Sequence, residues 1–293
     1  MLGTLLTLTQ HFPVLRLRFT LQLQAQAQLP DFKGSMFHGW IGQAIKQHDE
    51  KLFYILCAEH EGGQPKPYAI KLTDEHQQQW QKGELLSFDL MLFGEAVHLS
   101  QRVIDALSEG VRLGIGEYTS QGRSPVKLLS VASVLPGRIL PGVVTTVLQD
   151  WINTELTDGQ CELALHLKAP LRLKHKGAIS ADFLPELYEL NRHICRRLSQ
   201  LTKFWVADEP TLLNALYTAQ PRLGEYQAQH HCYFENWQRF SLKQRAKQPF
   251  GGLKGMLSFY GDIAPAKPWL QIGQVLSVGG KTTFGLGHYE LIG

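Results

Sequence analysis

Between Leu15 and Ala25 the chain alternates strictly, with Leu15, Leu17, Phe19, Leu21 and Leu23 on one face and Arg16, Arg18, Gln22 and Gln24 on the other. Successive side chains of a strand point to opposite sides, so this stretch is a strand with one buried face. After Leu29-Pro30-Asp31 the period changes. Phe37, Trp40, Ile41, Ala44 and Ile45 fall at i, i+3, i+4, i+7 and i+8, which is one face of a helix. Strands are expected next at 52–57, 68–72 and 85–93, then a helix near 100–113. A glycine-rich turn from Gly114 to Gly122 feeds a strand at 126–134.

The second half repeats this order. Cys161, Leu163, Leu165 and Leu167 alternate as a strand, and a long helix follows over 184–201. Strands near 232–237 and 253–260, a short helix over 269–276, a glycine-rich loop and a final strand complete it. Each half is read as β-α-β-β-α-β with a glycine-rich element before its last strand, the first half carrying one strand more between its helices. The linker falls at Pro136 to Pro141, with its two prolines and a glycine. The fold class is α+β, as two tandem ferredoxin-like domains covering 1–138 and 139–293.

Composition excludes several classes. The 293 residues contain no apolar run of the length that spans a bilayer, and their 44% hydrophobic content suits a core of one or two domains. The first residues lack a basic segment before the apolar ones and a small-residue cleavage site, so they read as mature sequence. Cys57, Cys161, Cys195 and Cys232 have no paired spacing, which disfavours a zinc site and a disulfide framework. A cytoplasmic protein without a membrane partner is the expectation. A net charge of +3 does not by itself announce nucleic acid, so clustered charge must carry that case.

The last residues, Val278-Gly-Gly-Lys-Thr-Thr-Phe-Gly-Leu-Gly-His-Tyr, supply one such cluster. Gly279, Gly280, Gly285 and Gly287 permit positive φ and close approach of another backbone, Lys281 adds charge, and Thr282 and Thr283 add donors. The outline is a phosphate-contacting loop. It is not a Walker loop, since position 275 is valine and the segment leads into a strand; the strand-loop-helix context of a dinucleotide fingerprint is also missing. A glycine-rich hairpin without a ligand is the bland alternative.

This architecture and its closing glycine loop resemble the CRISPR repeat-processing endoribonucleases of the RAMP superfamily, which cut precursor crRNA. Lys33-Gly-Ser-Met-Phe-His-Gly-Trp-Ile-Gly42 looks like the family's first-helix motif, with His38 where arginine is usual. Phe88 to Gly94, Arg239 to Arg245 and Gly251 to Phe259 are similar to further family segments. The resemblance implies two ferredoxin-like domains, repeat RNA as partner alongside other subunits of a CRISPR effector complex, and no cofactor. It also implies metal-independent cleavage leaving a 2′,3′-cyclic phosphate and a 5′-hydroxyl. Neither HExxH, an EF-hand loop nor a compact acidic cluster is present in the sequence, which fits that chemistry.

Cleavage without metal needs one group to take the 2′-hydroxyl proton and another to protonate the leaving 5′-oxygen, and histidine suits both near neutral pH. Family members place the catalytic histidine on or just after the first helix. His38 and His48 are the leading candidates here, and His60 ranks below them. Lys46, eight residues beyond His38 on the same helical face, is a candidate to hold the phosphate. His38 could equally be a helix residue at the core edge, and His48 a cation suited to a helix C-terminus. Candidate RNA contacts are Arg123 and Lys127, Arg192 and Arg196 on one helix, Arg239, Lys243, Arg245 and Lys254, and the glycine loop from Gly279 to Gly287. Such basic runs are more often solvated faces. A non-catalytic RNA-binding RAMP subunit is the main alternative, with a nucleotide-using enzyme more distant.

Overall fold

In the computed structural model the described residues are 2–60, 63–72, 76–119, 122–153, 160–236, 238–241 and 246–293. Strand β1 (Pro13–Leu23) lies inside an antiparallel sheet, between β3 (Leu85–Phe93) and β4 (Val126–Leu135). Strand β2 (Tyr68–Leu72) forms the edge beyond β3, and β5 (Arg138–Pro141) lies beyond β4. The order β2-β3-β1-β4 is the ferredoxin-like arrangement. A second sheet repeats it as β7-β8-β6-β9, from β6 (Cys161–Leu171), β7 (Tyr226–Glu235), β8 (Gly252–Gly261) and β9 (Tyr289–Ile292). Thr146–Val147 still pairs with β1, so the chain leaves the first sheet downstream of the expected division at residue 138.

The predicted faces are the observed ones. Leu15, Leu17, Phe19, Leu21 and Leu23 are buried against Phe37, Trp40, Ile41, Ala44 and Ile45 of α2 (Gly34–His48), and against Val103, Ala106 and Leu107 of α4 (Ser100–Gly110). Each such side chain removed from water contributes about 1.5–3 kcal/mol. Phe19 stacks on Phe88 with centroids 5.2 Å apart. On the other face of the sheet, Asp89 is fully buried and accepts from Arg16 Nε at 2.7 Å and Arg18 Nε at 2.7 Å. Burial of the carboxylate is tolerated because both guanidiniums share it.

Residues 52–57 are not a strand. They belong to helix α3 (Glu50–Cys57), which Asp49 opens by accepting from the Leu52 amide at 2.9 Å. The apolar run Leu52 to Cys57 fits either period, and the side-chain cap decides it. Helices α1 (Leu2–Gln10) and α6 (Pro210–Thr218) and a hairpin at Ile115–Thr119 and Gly122–Ser124 are further additions. Helices α5 (Leu187–Trp205) and α7 (Lys267–Leu276) cover one face of the second sheet, and their core runs on into Val14, Ala69, Met91 and Phe93 of the first. The two units therefore share packed apolar surface. No helix among the described residues is long and apolar enough to cross a membrane.

Candidate functional site

The glycine loop starts where α7 ends. Ser277, Gly279, Lys281, Gly285 and Gly287 all have positive φ, and Thr282–Phe284 forms a single 3-10 turn between them. Two of these glycines are obligatory on steric grounds: a Cβ on Gly287 would strike the Val278 carbonyl, and one on Gly279 the Arg172 carbonyl. The loop closes on itself through Val278 N to Gly287 O at 2.9 Å, on β6 through Gly287 N to Pro170 O at 3.0 Å, and on Arg172, the residue after β6, through Gly280 N to Arg172 O at 2.9 Å. Strand β6 is irregular between Leu167 and Leu171, where Lys168 and Ala169 turn their amides onto the His288 carbonyl. The amides of Gly280, Gly285 and Gly287 thus serve protein carbonyls, unlike the row of phosphate-facing N–H groups expected from the sequence. Lys281 is exposed, with its ammonium 5.9 Å from the Phe250 ring and 5.7 Å from that of Phe284.

Domain one holds this loop from two sides. His38 on α2 stacks on Phe284 with centroids 3.6 Å apart, and its Nδ1 lies 3.0 Å from the Thr283 carbonyl and 3.5 Å from the Tyr68 hydroxyl. A carbonyl only accepts, so Nδ1 carries the proton toward Thr283 and the ring's basic lone pair falls on Nε2. Gly34, one turn earlier, lets the Phe284 carbonyl lie against the helix backbone. Burial drives the Tyr68 phenol well above its ordinary pKa, and the Cys57 thiol adds to that. On the opposite face of β2, Lys71 Nζ donates to the Gln274 carbonyl at 2.7 Å, while Arg197 Nε donates to Leu276 O at 2.8 Å. Two cations from outside α7 thereby satisfy its C-terminal carbonyls and meet the negative end of its dipole. Burial lowers the Lys71 ammonium well below its ordinary pKa and pushes the Arg197 guanidinium down to about 10.

The structure separates the two leading histidines. They are ten residues apart on α2, about 15 Å along its axis, so one scissile phosphate meets only one of them. His48 is exposed at the helix end next to Asp49, whose carboxylate binds Arg102 at 2.5 Å. The Leu52 amide, and after it Arg102, hold that carboxyl below its usual range. Lys46 is exposed with Nζ 5.5 Å from the Phe53 ring. His60 sits edge-on to the exposed Tyr54 at 5.1 Å, and its buried Nε2 has no hydrogen-bond partner among the described residues. Nothing local to His60 in the sequence announces that unmet nitrogen.

The basic candidates scatter. Arg123 donates to Gln43 of α2 at 3.1 Å, and Lys127 is exposed on β4. Arg192 and Arg196 are exposed one turn apart on α5. Lys254 pairs with Glu235 at 3.6 Å, so its charge is largely answered within the protein. Arg239 lies on the Gln238–Ser241 strand, while Lys243 and Arg245 fall outside the described residues. Of the expected set, the fold brings together His38, Lys281, Thr282, Thr283 and the four loop glycines.

Residues 165–289 match the family model described as CRISPR-associated endoribonuclease Cas6, and residues 12–50 and 55–155 match one described as an N-terminal domain. No curated protein matches the chain. Among solved structures, a Cas6 product complex is 16% identical, with a TM-score of 0.59, over 96% of this chain and 100% of that one. Thermus thermophilus Cas6 is 13% identical, with a TM-score of 0.56, over 96% of this chain and 99% of that one. A partial Cas6-RT-Cas1–Cas2 complex is 14% identical with a TM-score of 0.61, and this chain covers 46% of its matched chain. At such identities the structures speak for the fold, which is shared along the whole chain, while the family match speaks for its C-terminal half. Residues 165–289 thus match the CRISPR-associated endoribonuclease Cas6 family, and the chain as a whole shares the fold of the Cas6 structures.

Proposed function

We propose that the chain binds CRISPR repeat RNA across α2 and the glycine loop and cuts it once without a metal. A histidine takes the proton of the 2′-hydroxyl, that oxygen attacks the adjacent phosphorus, and the bond to the 5′-oxygen breaks as this oxygen receives a proton. The ends are a 2′,3′-cyclic phosphate and a 5′-hydroxyl. The observation that carries this reading is His38: it is oriented through Nδ1 by the Thr283 carbonyl, and it stands against the loop that bears the exposed Lys281. A fixed imidazole beside a cation is what acid–base cleavage of a phosphodiester requires. Lys46 and His48 lie further along the same helix and would contact the RNA beyond the cut.

One observation favours a second assignment on the same protein. The His60 Nε2 atom is buried beside the exposed Tyr54 without a hydrogen-bond partner among the described residues, so one ring nitrogen of His60 is left to meet a substrate group. Purified protein with repeat RNA in EDTA tests the reaction. A single cut leaving a cyclic phosphate is expected, whereas intact RNA would favour a non-catalytic RNA-binding subunit. A 5′-phosphate product, or cutting only with magnesium, would refute the mechanism. His38→Ala, His48→Ala and His60→Ala in the same assay assign the base: the true one slows cleavage by about 100-fold or more.

A further inference from the structure

Behind the His38 ring the fold buries a hydroxyl that the cleavage scheme leaves unused. Tyr68, the first residue of β2, is 3% exposed, and its Oη lies 3.5 Å from His38 Nδ1. The same hydroxyl is hydrogen-bonded to the side chains of Thr283 in the glycine loop and of Cys57 at the end of α3. Groups from α2, α3 and the loop therefore converge on one oxygen of β2. A phenol has one proton to give and two lone pairs to receive with. His38 Nδ1–H and the Thr283 hydroxyl are donors, so they occupy the lone pairs, and the Tyr68 proton goes to the Cys57 sulfur. On the far side of Tyr68 and Cys57 lies a small apolar hollow lined by Ile41, Ile45, Leu56 and Leu90. Burial drives the phenol well above its ordinary pKa, which keeps it a neutral hydroxyl.

We propose that Tyr68 is a positioning residue for the His38 base, its oxygen serving as a second acceptor for Nδ1–H beside the Thr283 carbonyl. The Phe284 stack at 3.6 Å fixes the plane of the imidazole, and the two acceptors fix its rotation within that plane, with Nε2 left to meet the 2′-hydroxyl. When Nε2 takes the 2′-hydroxyl proton the ring becomes a cation. A hydrogen bond from a charged donor is stronger than one from a neutral donor, so both Nδ1–H contacts tighten at that moment. No proton moves along the chain: Nδ1 keeps its own, and that of Tyr68 stays with Cys57. The titratable groups on this side of His38 are Tyr68 from β2 and Cys57 from α3, with Lys66 within electrostatic reach of Cys57. Lys281 shares the Phe284 ring from the loop.

The proposal rests on the reading of His38 as the base, and its test separates the two. Single-turnover cleavage of repeat RNA at saturating protein is followed across about pH 5–9, where the rising acid limb reports the base. Tyr68→Phe takes an acceptor from the protonated ring, so its proton leaves more readily. The limb should move to lower pH by roughly 0.5 unit, with the plateau rate down roughly three- to tenfold and RNA affinity within about twofold of wild type. A merely structural role scales the rate equally at every pH. An unmoved limb, whether or not the plateau falls, would therefore overturn the proposal. If Tyr68→Phe does not fold, ring nitrogen shifts of the labelled wild type, assigned by their loss in His38→Gln, still decide. The neutral ring should carry its proton on Nδ1; a proton on Nε2 would leave Nδ1 nothing to donate to Tyr68 and overturn the proposal as well. A slow His38→Gln beside an unmoved Tyr68→Phe limb removes Tyr68 alone, whereas a His38→Gln that cuts as fast as wild type removes the base itself and Tyr68 with it.

Discussion

Adding one methyl group at Gly287 should cost the protein more stability than any other small change in the glycine loop. Gly287 has φ 72°. Alanine there pays about 1–2 kcal/mol for the left-handed backbone, before any contact is considered. Its Cβ would also lie on the Val278 carbonyl, in a place where both backbones are tied: Val278 N to Gly287 O at 2.9 Å and Gly287 N to Pro170 O at 3.0 Å. Relieving the clash costs at least one of these bonds, about 1 kcal/mol. The total is about 2–3 kcal/mol. Gly280 is the matched control, because it is exposed, lacks a positive φ and has Arg172 O as its nearest neighbour at 3.9 Å. Gly280→Ala should change stability by no more than about 0.5 kcal/mol. Urea unfolding of the two variants beside the wild type reads this difference. Equal stability of all three, or equal losses in both variants, would refute the account of the loop as a backbone-locked element.

Other perturbations address the rest of the site. Asp89→Asn removes the shared partner of two arginines and should cost about 3 kcal/mol in unfolding free energy, without changing the chemical step. Wild-type stability would mean that the buried carboxylate is dispensable. His288 has a folded pKa well below the unfolded 6.5, so the unfolded chain binds more protons between the two values. Its contribution is therefore present above about pH 6.5 and is lost as pH falls below it; a melting series on His288→Gln should show a shallower acid slope than the wild type. Lys281→Ala should weaken RNA binding and flatten its salt dependence by about one counterion at most, with little change in melting temperature. Unchanged affinity and slope would remove Lys281 from the interface.

Much of the fold was legible because it is written in local periods. The alternation of Leu15 to Leu23 and the spacing of Phe37 to Ile45 name their own buried faces, and two repeats of one element order point to two ferredoxin-like sheets. Helix α3 was missed because Leu-Phe-Tyr-Ile-Leu-Cys is apolar nearly throughout and carries no clear period, although Asp49 ahead of it is a usable N-cap signal. Helix α6 likewise had its sign in Glu209-Pro210. The site was less readable, because its decisive contacts are not local. His38 and Thr283 are 245 residues apart, Lys71 and Gln274 are 203 apart, and no pattern around either predicts the pairing. The glycines mark themselves as special, but whether their amides face phosphate or protein depends on Pro170 of β6 and on Arg172 just beyond it.

The central claim, that RNA is cut by its own 2′-hydroxyl under histidine acid–base catalysis, is tested most directly by removing that one oxygen. Repeat RNA with a single 2′-deoxynucleotide on the 5′ side of the mapped cut should bind wild-type protein within about twofold of the all-ribose RNA and stay intact under single-turnover conditions. Cleavage of the deoxy substrate at the same bond would contradict the account, because the nucleophile would then have to be another group.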